Sequence, residues 1–157
     1  MDLVAIEIPR EEMARFAIKA LSSQQLPPPN LVIALGDEVI IVGYPRGFSD
    51  VLHNYPISRT GAVASAYPVD FQGNPFFLVD ARLHPGTSGS PVLMKPATMW
   101  QTSEGTSLGG ITTFFLGVNS GEVSFGPESS GLNAIWYARL VQEITDPAFQ
   151  SATFPLP

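Results

Sequence analysis

The sequence predicts an all-β protein, an antiparallel barrel of short strands, and three observations support this class. Glycine and proline are frequent, with 14 and 15 residues among 157, so turns are closely spaced along the chain. Short apolar runs rich in β-branched and aromatic residues lie between these turns, as is typical of barrels. Hydrophobic residues make up 45% of the chain and charged residues 14%, which indicates a globular domain with an apolar core.

The first thirty residues are predicted to precede the barrel as a separate region. Residues 2–8 alternate in polarity as a half-buried strand does. Residues 10–21 change to a helical period and predict a short amphipathic helix, with two glutamates in its first turn. Residues 24–30 contain three consecutive prolines and indicate a stiff linker. We therefore divide the chain into residues 1–30 and a barrel of residues 31–157.

The barrel region contains a succession of strand patterns and ends in a predicted helix. Residues 97–105 are polar and predict an irregular connection between strands. Residues 135–144 place apolar side chains on one side of a helix, and the prolines that follow Asp146 predict a loose tail. Strands are predicted at residues 39–43, 61–67, 76–81, 91–94, 110–118 and 133–137.

A loop of small residues around Ser88 is the strongest functional signal in the chain. The segment from Val79 to Leu93 is an apolar approach, a turn of small residues and an apolar exit. Gly86 and Gly89 allow backbone angles that a Cβ would forbid. We expect the Ser88 hydroxyl to face outward as a nucleophile, and the amides of Gly86 and Ser88 to converge as an oxyanion hole. The alternative is an ordinary turn, because the same residue types are common in turns.

Three further segments accompany the serine loop. The chain contains DLVAIEI at residues 2–8, GDEVIIVGYPRG at 36–47, the loop VDARLHPGTSGSPVL at 79–93 and LGVNSG at 116–121. In this order the segments resemble the trypsin-like serine peptidases of the chymotrypsin fold, in particular the HtrA-like and glutamyl-endopeptidase-like branches. The resemblance implies the second barrel of that fold, together with a remnant of the first barrel in residues 1–30.

The resemblance also implies roles for two side chains. Ser88 matches the nucleophile of the family, and Asp2 matches the carboxylate that orients the catalytic histidine. That histidine lies N-terminal to the aspartate in the family, whereas only Met1 precedes Asp2 here. We therefore expect the chain to lack the histidine and to be inactive alone. Asp70 and Asp80 remain competing candidates for the carboxylate.

The two histidines of the chain, His53 and His84, are alternative bases. His84 lies four residues before Ser88, where its ring would have to fold back to meet the hydroxyl. We interpret both as histidines at the surface or at the rim of a pocket. Neither has a ligand partner at a recognisable spacing, so the sequence predicts no metal site and no cofactor.

Five residues are candidates for the substrate pocket, on the basis of the resemblance. Arg82 and His84 precede the serine where related enzymes line the first specificity pocket. An arginine that points inward would favour an acidic residue before the cut bond, whereas one that points to solvent would have no such effect. Asn119, Ser120 and Gly121 would present backbone groups to an extended peptide.

Composition limits the classes of partner. The net charge of −6 and the absence of a run of lysine and arginine argue against nucleic acid. No apolar segment is long enough to span a bilayer, no secretory signal is recognisable, and the compartment stays open. The predicted partner is a polypeptide substrate, and an apolar face left by the missing barrel would favour a homodimer.

Three functions follow in order of support. The first is a serine endopeptidase, with this chain inactive without the upstream histidine. The second is a non-catalytic trypsin-like domain that binds peptides or proteins. The third is an esterase, which is weak because residues 86–90 lack the second glycine of the Gly-x-Ser-x-Gly motif and no helix pattern follows.

Overall fold

The computed structural model describes residues 3–16, 18–124 and 129–146, and the structural statements below concern those residues. Within them, strands dominate, and the two α-helices are short. The elements are α1 Arg10–Met13, β1 Glu38–Gly43, β2 Ile57–Val63, β3 Phe76–Asp80, β4 Pro91–Met94, β5 Ala97–Thr102, β6 Gly105–Thr112, β7 Phe115–Glu122, β8 Leu132–Tyr137 and α2 Ala138–Thr145.

Six of these strands form a closed barrel in the order β1-β2-β3-β8-β7-β4. All neighbouring pairs are antiparallel. The barrel closes where β4 returns to β1, with Val92 paired to Ile41 and Met94 paired to Val39. Closure leaves no unpaired edge among the six strands. The predicted all-β antiparallel barrel is therefore confirmed.

The core fills the barrel with side chains from alternate strand positions. Val39 and Ile41 of β1 are buried, as are Phe77 and Val79 of β3. This spacing of two follows from the pleat, which turns successive side chains to opposite faces. Because these side chains fill the interior and the strands pair all round the wall, a functional site is expected at the ends of the barrel.

The N-terminal region differs from its predicted structure. The strand expected at residues 2–8 is wrong for the described part of that range, because residues 3–8 form no strand and pair with no described neighbour. Val4 and Ile6 are 79% and 81% exposed. A strand needs a partner for its backbone hydrogen bonds, and the alternating pattern alone does not supply one.

The predicted N-terminal helix is present but ends at Met13 rather than at residue 21. Phe16, Ile18 and Leu21, which continue the apolar pattern, are exposed. A short helix is marginal in water unless an apolar face packs against something, so the pattern is not extended into further turns. The division between residues 1–30 and 31–157 stays a prediction.

The connection expected to be irregular at residues 97–105 is instead part of a two-stranded hairpin. Strands β5 and β6 pair with each other and lie outside the barrel sheet. The long strand predicted at 110–118 is divided, because β6 ends at Thr112 and β7 begins at Phe115. Cross-strand pairing and the packing of Trp100 on Phe114 stabilise residues whose polarity alone predicts a loop.

The C-terminal helix is confirmed, with a later start than predicted. Residues 135–137 complete β8, and the helix runs from Ala138 to Thr145. Pairing of β8 with both β3 and β7 supplies two rows of backbone hydrogen bonds, which favour the strand over the helix there. The predicted tail from residue 147 lies outside the described residues. In the described ranges, every helix is too short to cross a bilayer.

Candidate active site

Ser88 lies in the loop that connects β3 to β4, beside β7. Its side chain is exposed, and its Oγ donates a 2.7 Å hydrogen bond to the carbonyl oxygen of Ser120. Gly86 and Gly89 have φ angles of +93° and +83°, which only glycine adopts without strain. The loop therefore turns sharply on both sides of the serine and presents its hydroxyl to solvent.

The residue before the serine holds the loop in place. Thr87 is buried, its Oγ1 donates to the carbonyl oxygen of His84 at 2.8 Å, and its amide donates to the same oxygen at 3.2 Å. Asn119 is 1% exposed and donates from Nδ2 to the carbonyl oxygen of Thr87 at 2.9 Å. Asn119, a predicted pocket residue, thus has a side chain that supports the serine loop.

Backbone hydrogen bonds attach the residues after the serine to β7. The amide of Gly89 donates to the carbonyl of Asn119 at 2.8 Å, and the amide of Asn119 donates to the carbonyl of Ser90 at 2.9 Å. Ser90 in turn donates from its amide to Thr87 at 3.1 Å, which closes a turn around Ser88. The position of the serine is therefore set by the sheet as well as by the loop.

Two amides of the loop have no such partner. In the described ranges, the N–H groups of Gly86 and Ser88 meet no hydrogen-bond acceptor, whereas those of Thr87, Gly89 and Ser90 are all bonded. Gly86 and Ser88 are both exposed, so solvent or a ligand can accept from these two donors. The two free donors lie on either side of Thr87, next to an exposed hydroxyl, and are available to an acceptor from outside the loop.

The peptide between Pro85 and Gly86 is held in one orientation by a neighbouring turn. Arg46, in the turn Pro45–Gly47, donates its amide to the carbonyl oxygen of Pro85 at 2.7 Å. The C=O and N–H of a trans peptide point in opposite directions, so this bond directs the Gly86 N–H away from Arg46. A Cβ on Gly86 would lie 2.9 Å from the Arg46 nitrogen, which explains why glycine occupies the position.

A small cavity of about 190 Å³ opens beside the serine. Asn133 of β8 is buried at its lining and donates from Nδ2 to the carbonyl of Ala81 at 2.7 Å. That bond holds the chain where it leaves β3. The residues around the cavity come from the serine loop, the end of β7 and β8: Leu83, His84, Pro85, Thr87, Ser88, Gly121, Glu122 and Asn133.

Glu122 gives this cavity a carboxylate that the sequence analysis did not anticipate. Its Oε1 accepts hydrogen bonds from the Ser129 hydroxyl at 2.5 Å and from the Gly131 amide at 3.0 Å. These bonds, led by that from Ser129, lower the pKa of Glu122, because they stabilise the charged form. The only sequence signal is a glutamate directly after Gly121, which by itself carries no chemistry.

The comparison with protein families decides the relationship. The sequence matches the family model described as trypsin-like peptidase domain over residues 2–96, more than half of the chain. The chain belongs to this trypsin-like family. The match includes β1 to β4 and the whole serine loop, and together with the closed barrel it confirms the predicted chymotrypsin-like fold. A search of curated proteins found no match to the chain.

Neither histidine of this trypsin-like domain contacts the serine. His53 pairs with Asp50, with Nδ1 and Oδ2 2.6 Å apart, and stacks on Tyr55 in an exposed loop. His84 lines the cavity beside Ser88, but no hydrogen bond joins the two side chains within the described residues. The Asp50 carboxyl has a lowered pKa because of its bond to His53. This Asp–His pair therefore has its own surface location.

Of the three candidate carboxylates, the structure describes Asp70 and Asp80, and neither forms a hydrogen bond or ion pair with the serine loop. Asp2 lies outside the described residues, so its predicted role stays a prediction. Leu3, which follows it, lines a cavity of about 440 Å³ together with Ser88, and the N-terminal segment therefore passes close to the serine loop. Asp70 pairs with Arg139 at 2.9 Å, and Asp80 is exposed at the end of β3.

The other predicted pocket residues occupy different positions around the serine. His84 and Gly121 line the 190 Å³ cavity. Ser120 lies on the other side of Ser88, where its carbonyl accepts the serine hydroxyl. Arg82 is exposed and is not among the lining residues of that cavity. In the part of the chain that the structure describes, no three metal-ligating side chains cluster.

Proposed function

We propose that this trypsin-like domain supplies the nucleophile and the oxyanion hole of a serine endopeptidase. The observation that carries the proposal is the pair of unpaired amides, Gly86 and Ser88, next to an exposed hydroxyl. Donors that are free in the resting protein can bind a developing oxyanion without first breaking another bond. Membership of a peptidase family supports the same reaction class.

In this reaction the Oγ of Ser88 attacks the peptide carbonyl, and the carbonyl oxygen becomes an oxyanion held by the two amides. A base must take the hydroxyl proton, since a neutral serine is a poor nucleophile. We assign the base to a histidine outside the 157 residues, oriented by Asp2. The Ser88 hydroxyl, which now donates to Ser120, would donate to that histidine instead.

A fluorophosphonate probe tests this assignment. We expect the 157-residue chain to be labelled slowly, because no base assists Ser88, and a protein that also includes the region encoded upstream to be labelled much faster. Mass spectrometry identifies the labelled residue. Ser88→Ala should abolish labelling, whereas Ser103→Ala, which removes an exposed serine elsewhere, should not. Rapid labelling of the isolated chain at Ser88 would refute the external base.

A second candidate function is a non-catalytic domain that binds peptides. The bond from the Ser88 hydroxyl to the Ser120 carbonyl favours it, because this donor is already satisfied. The same labelling series separates the two functions. A protein that includes the upstream region and still reacts with no probe, yet binds peptides beside the serine loop, would be a binding module.

A further inference from the structure

An open groove of about 710 Å³ lies next to the serine loop and is lined by positively charged side chains. Arg46, Arg59 and His84 line it, together with the apolar side chains of Phe48 and Ile57. His84 also lines the small cavity beside Ser88. The groove and the cavity therefore share His84, which lies in the segment that leads to the serine.

The groove is built from segments far apart in the sequence. Register in the β1–β2 pair places Arg59 opposite Ile41. The turn after β1 brings Arg46 against Pro85 through the 2.7 Å backbone hydrogen bond. Arg59 donates from Nη1 to the carbonyl of Arg82 at 2.8 Å, which fixes its guanidinium at the base of the serine loop. Arg46 and Arg59 are thus both held against carbonyl groups of the segment that leads to Ser88.

The charges of the groove have no counterion among the residues that the structure describes. The chain has eight lysines and arginines in all, and three of them, Arg46, Arg59 and Arg82, surround His84. Within the described residues, no aspartate or glutamate forms an ion pair with any of the three. Burial is the largest cause of the lowered pKa of His84, and the positive charges of these arginines lower it further. A concentration of positive charge on a protein of net charge −6 favours an anionic ligand at this place.

We propose that the groove, which shares His84 with the cavity beside Ser88, binds an acidic side chain of a polypeptide substrate. Guanidinium groups bind carboxylates through paired hydrogen bonds, and Phe48 and Ile57 offer contact to an apolar residue beside it. That the bound peptide is a substrate rests on the proposed function, whereas the binding of an acidic peptide does not. This preference differs from the one that an inward Arg82 would create in the small cavity.

Amide chemical shifts measured by NMR during a peptide titration test the proposal on the 157-residue chain. The probes are two capped hexapeptides that differ at one residue, one with Glu-Phe and one with Gln-Phe in an otherwise alanine sequence. The glutamate peptide should shift the amides of Arg46, Arg59 and His84 in a saturable way. The glutamine peptide should bind about fivefold more weakly or worse, the effect of roughly two partly exposed ion pairs.

Charge-matched variants locate the site. The double change Arg46→Gln and Arg59→Gln should reduce the affinity for the glutamate peptide to that for the glutamine peptide. Arg139→Gln removes the same kind of charge from a surface where the arginine pairs with Asp70, and it should leave the difference between peptides intact. If the double variant is unfolded, the proposal is tested by the difference in affinity between the two peptides on the unaltered chain.

Three results would overturn the proposal. The first is equal affinity of the chain for the two peptides. The second is that Arg139→Gln loses as much affinity for the glutamate peptide as the double variant does. The third is that inorganic phosphate, at the peptide's half-saturating concentration, saturates the same amides, which indicates a site for any small anion. If the 157-residue chain binds the glutamate peptide selectively but the protein that includes the upstream region is not labelled at Ser88, only the peptidase function is refuted. If that longer protein is labelled but the peptides bind equally, only the groove is refuted.

Discussion

Two buried asparagines hold the two ends of the segment that carries the serine. Asn133 binds the carbonyl of Ala81 where the chain leaves β3, and Asn119 binds the carbonyl of Thr87 directly before Ser88. Each side chain adds a second donor to a carbonyl that already accepts a backbone amide, from Leu83 at Ala81 and from Ser90 at Thr87. At the scale of single residues, these two side chains hold the segment that carries Ser88.

We expect Asn119→Ala to lower the free energy of unfolding by about 1 kcal/mol, because the Thr87 carbonyl would lose the bond from Asn119 and keep only the one from the Ser90 amide. Urea denaturation measures the change, and the amide resonance of Ser88 should move as the loop relaxes. Asn74→Ala, an exposed asparagine, is the control and should change stability by about 0.5 kcal/mol or less. Equal effects in the two variants would contradict the supporting role of Asn119.

At the scale of elements, strands β7 and β8 approach so closely that a side chain is excluded between them. A Cβ on Gly117 would overlap the carbonyl oxygen of Trp136, and the two strands pair across this point. The same strand continues to Asn119 and Ser120, which contact the serine loop. The close spacing of β7 and β8 therefore helps to set the position of Asn119 and Ser120 beside the serine loop.

Gly117→Ala should destabilise the protein by about 1–3 kcal/mol, since the added methyl group has no space and the strands must separate. Thermal or urea unfolding gives the size of the effect. Gly110→Ala in β6 is a matched control, because nothing lies within 4 Å of its Cβ position. If both variants unfold at the same denaturant concentration, close strand approach is not what requires the glycine.

For the molecule as a whole, a cluster of aromatic side chains links stability to pH. Tyr67 contacts Phe77 and Tyr137 edge-on, with ring centroids 5.2 and 5.5 Å away. Burial raises the pKa of Tyr67 from 10.0 to about 12, and it also raises the pKa of Tyr137, whose hydroxyl donates to Val69. The folded state thus keeps these protons at a pH where the unfolded chain releases them.

Stability is therefore expected to fall as pH rises from 10 to about 12, because the unfolded state binds fewer protons than the folded state in that interval. Denaturation midpoints measured across the interval test this. Tyr67→Phe should make the decline shallower, and Tyr55→Phe, which alters an exposed ring, should leave it unchanged. An unchanged slope in Tyr67→Phe would exclude Tyr67 as a source.

The apolar N-terminal region predicts association between copies of the chain. Val4 and Ile6 are largely exposed, as is Phe16, and exposed apolar groups of this kind favour contact with another surface. Sedimentation equilibrium should detect a dimer that Val4→Asp combined with Ile6→Asp weakens. Leu108→Asp, at a similarly exposed position in the hairpin, is the control. A chain that is monomeric at high concentration would contradict the prediction.

Local patterns predicted the parts of the fold that local interactions determine. The barrel strands 39–43 and 91–94 and the turn at Gly86 follow from alternation and from glycine, which act over a few residues. The strand at residues 2–8 and the full helix at 10–21 were wrong for the described residues, because residues 3–8 pair with no described strand and most apolar side chains of both segments are exposed. The hairpin of β5 and β6 was missed because pairing, rather than polarity, decides it.

The sequence by itself determined the barrel class, the serine loop and the membership of a peptidase family, since each depends on residues that are neighbours along the chain. Only the tertiary structure decided which loop amides stay unpaired, that Asn119 supports the loop, and that Arg46, Arg59 and His84 line one groove. Closure of the barrel brings together residues that are far apart in the sequence. The spacing of residues along the chain does not predict which of them become neighbours in space.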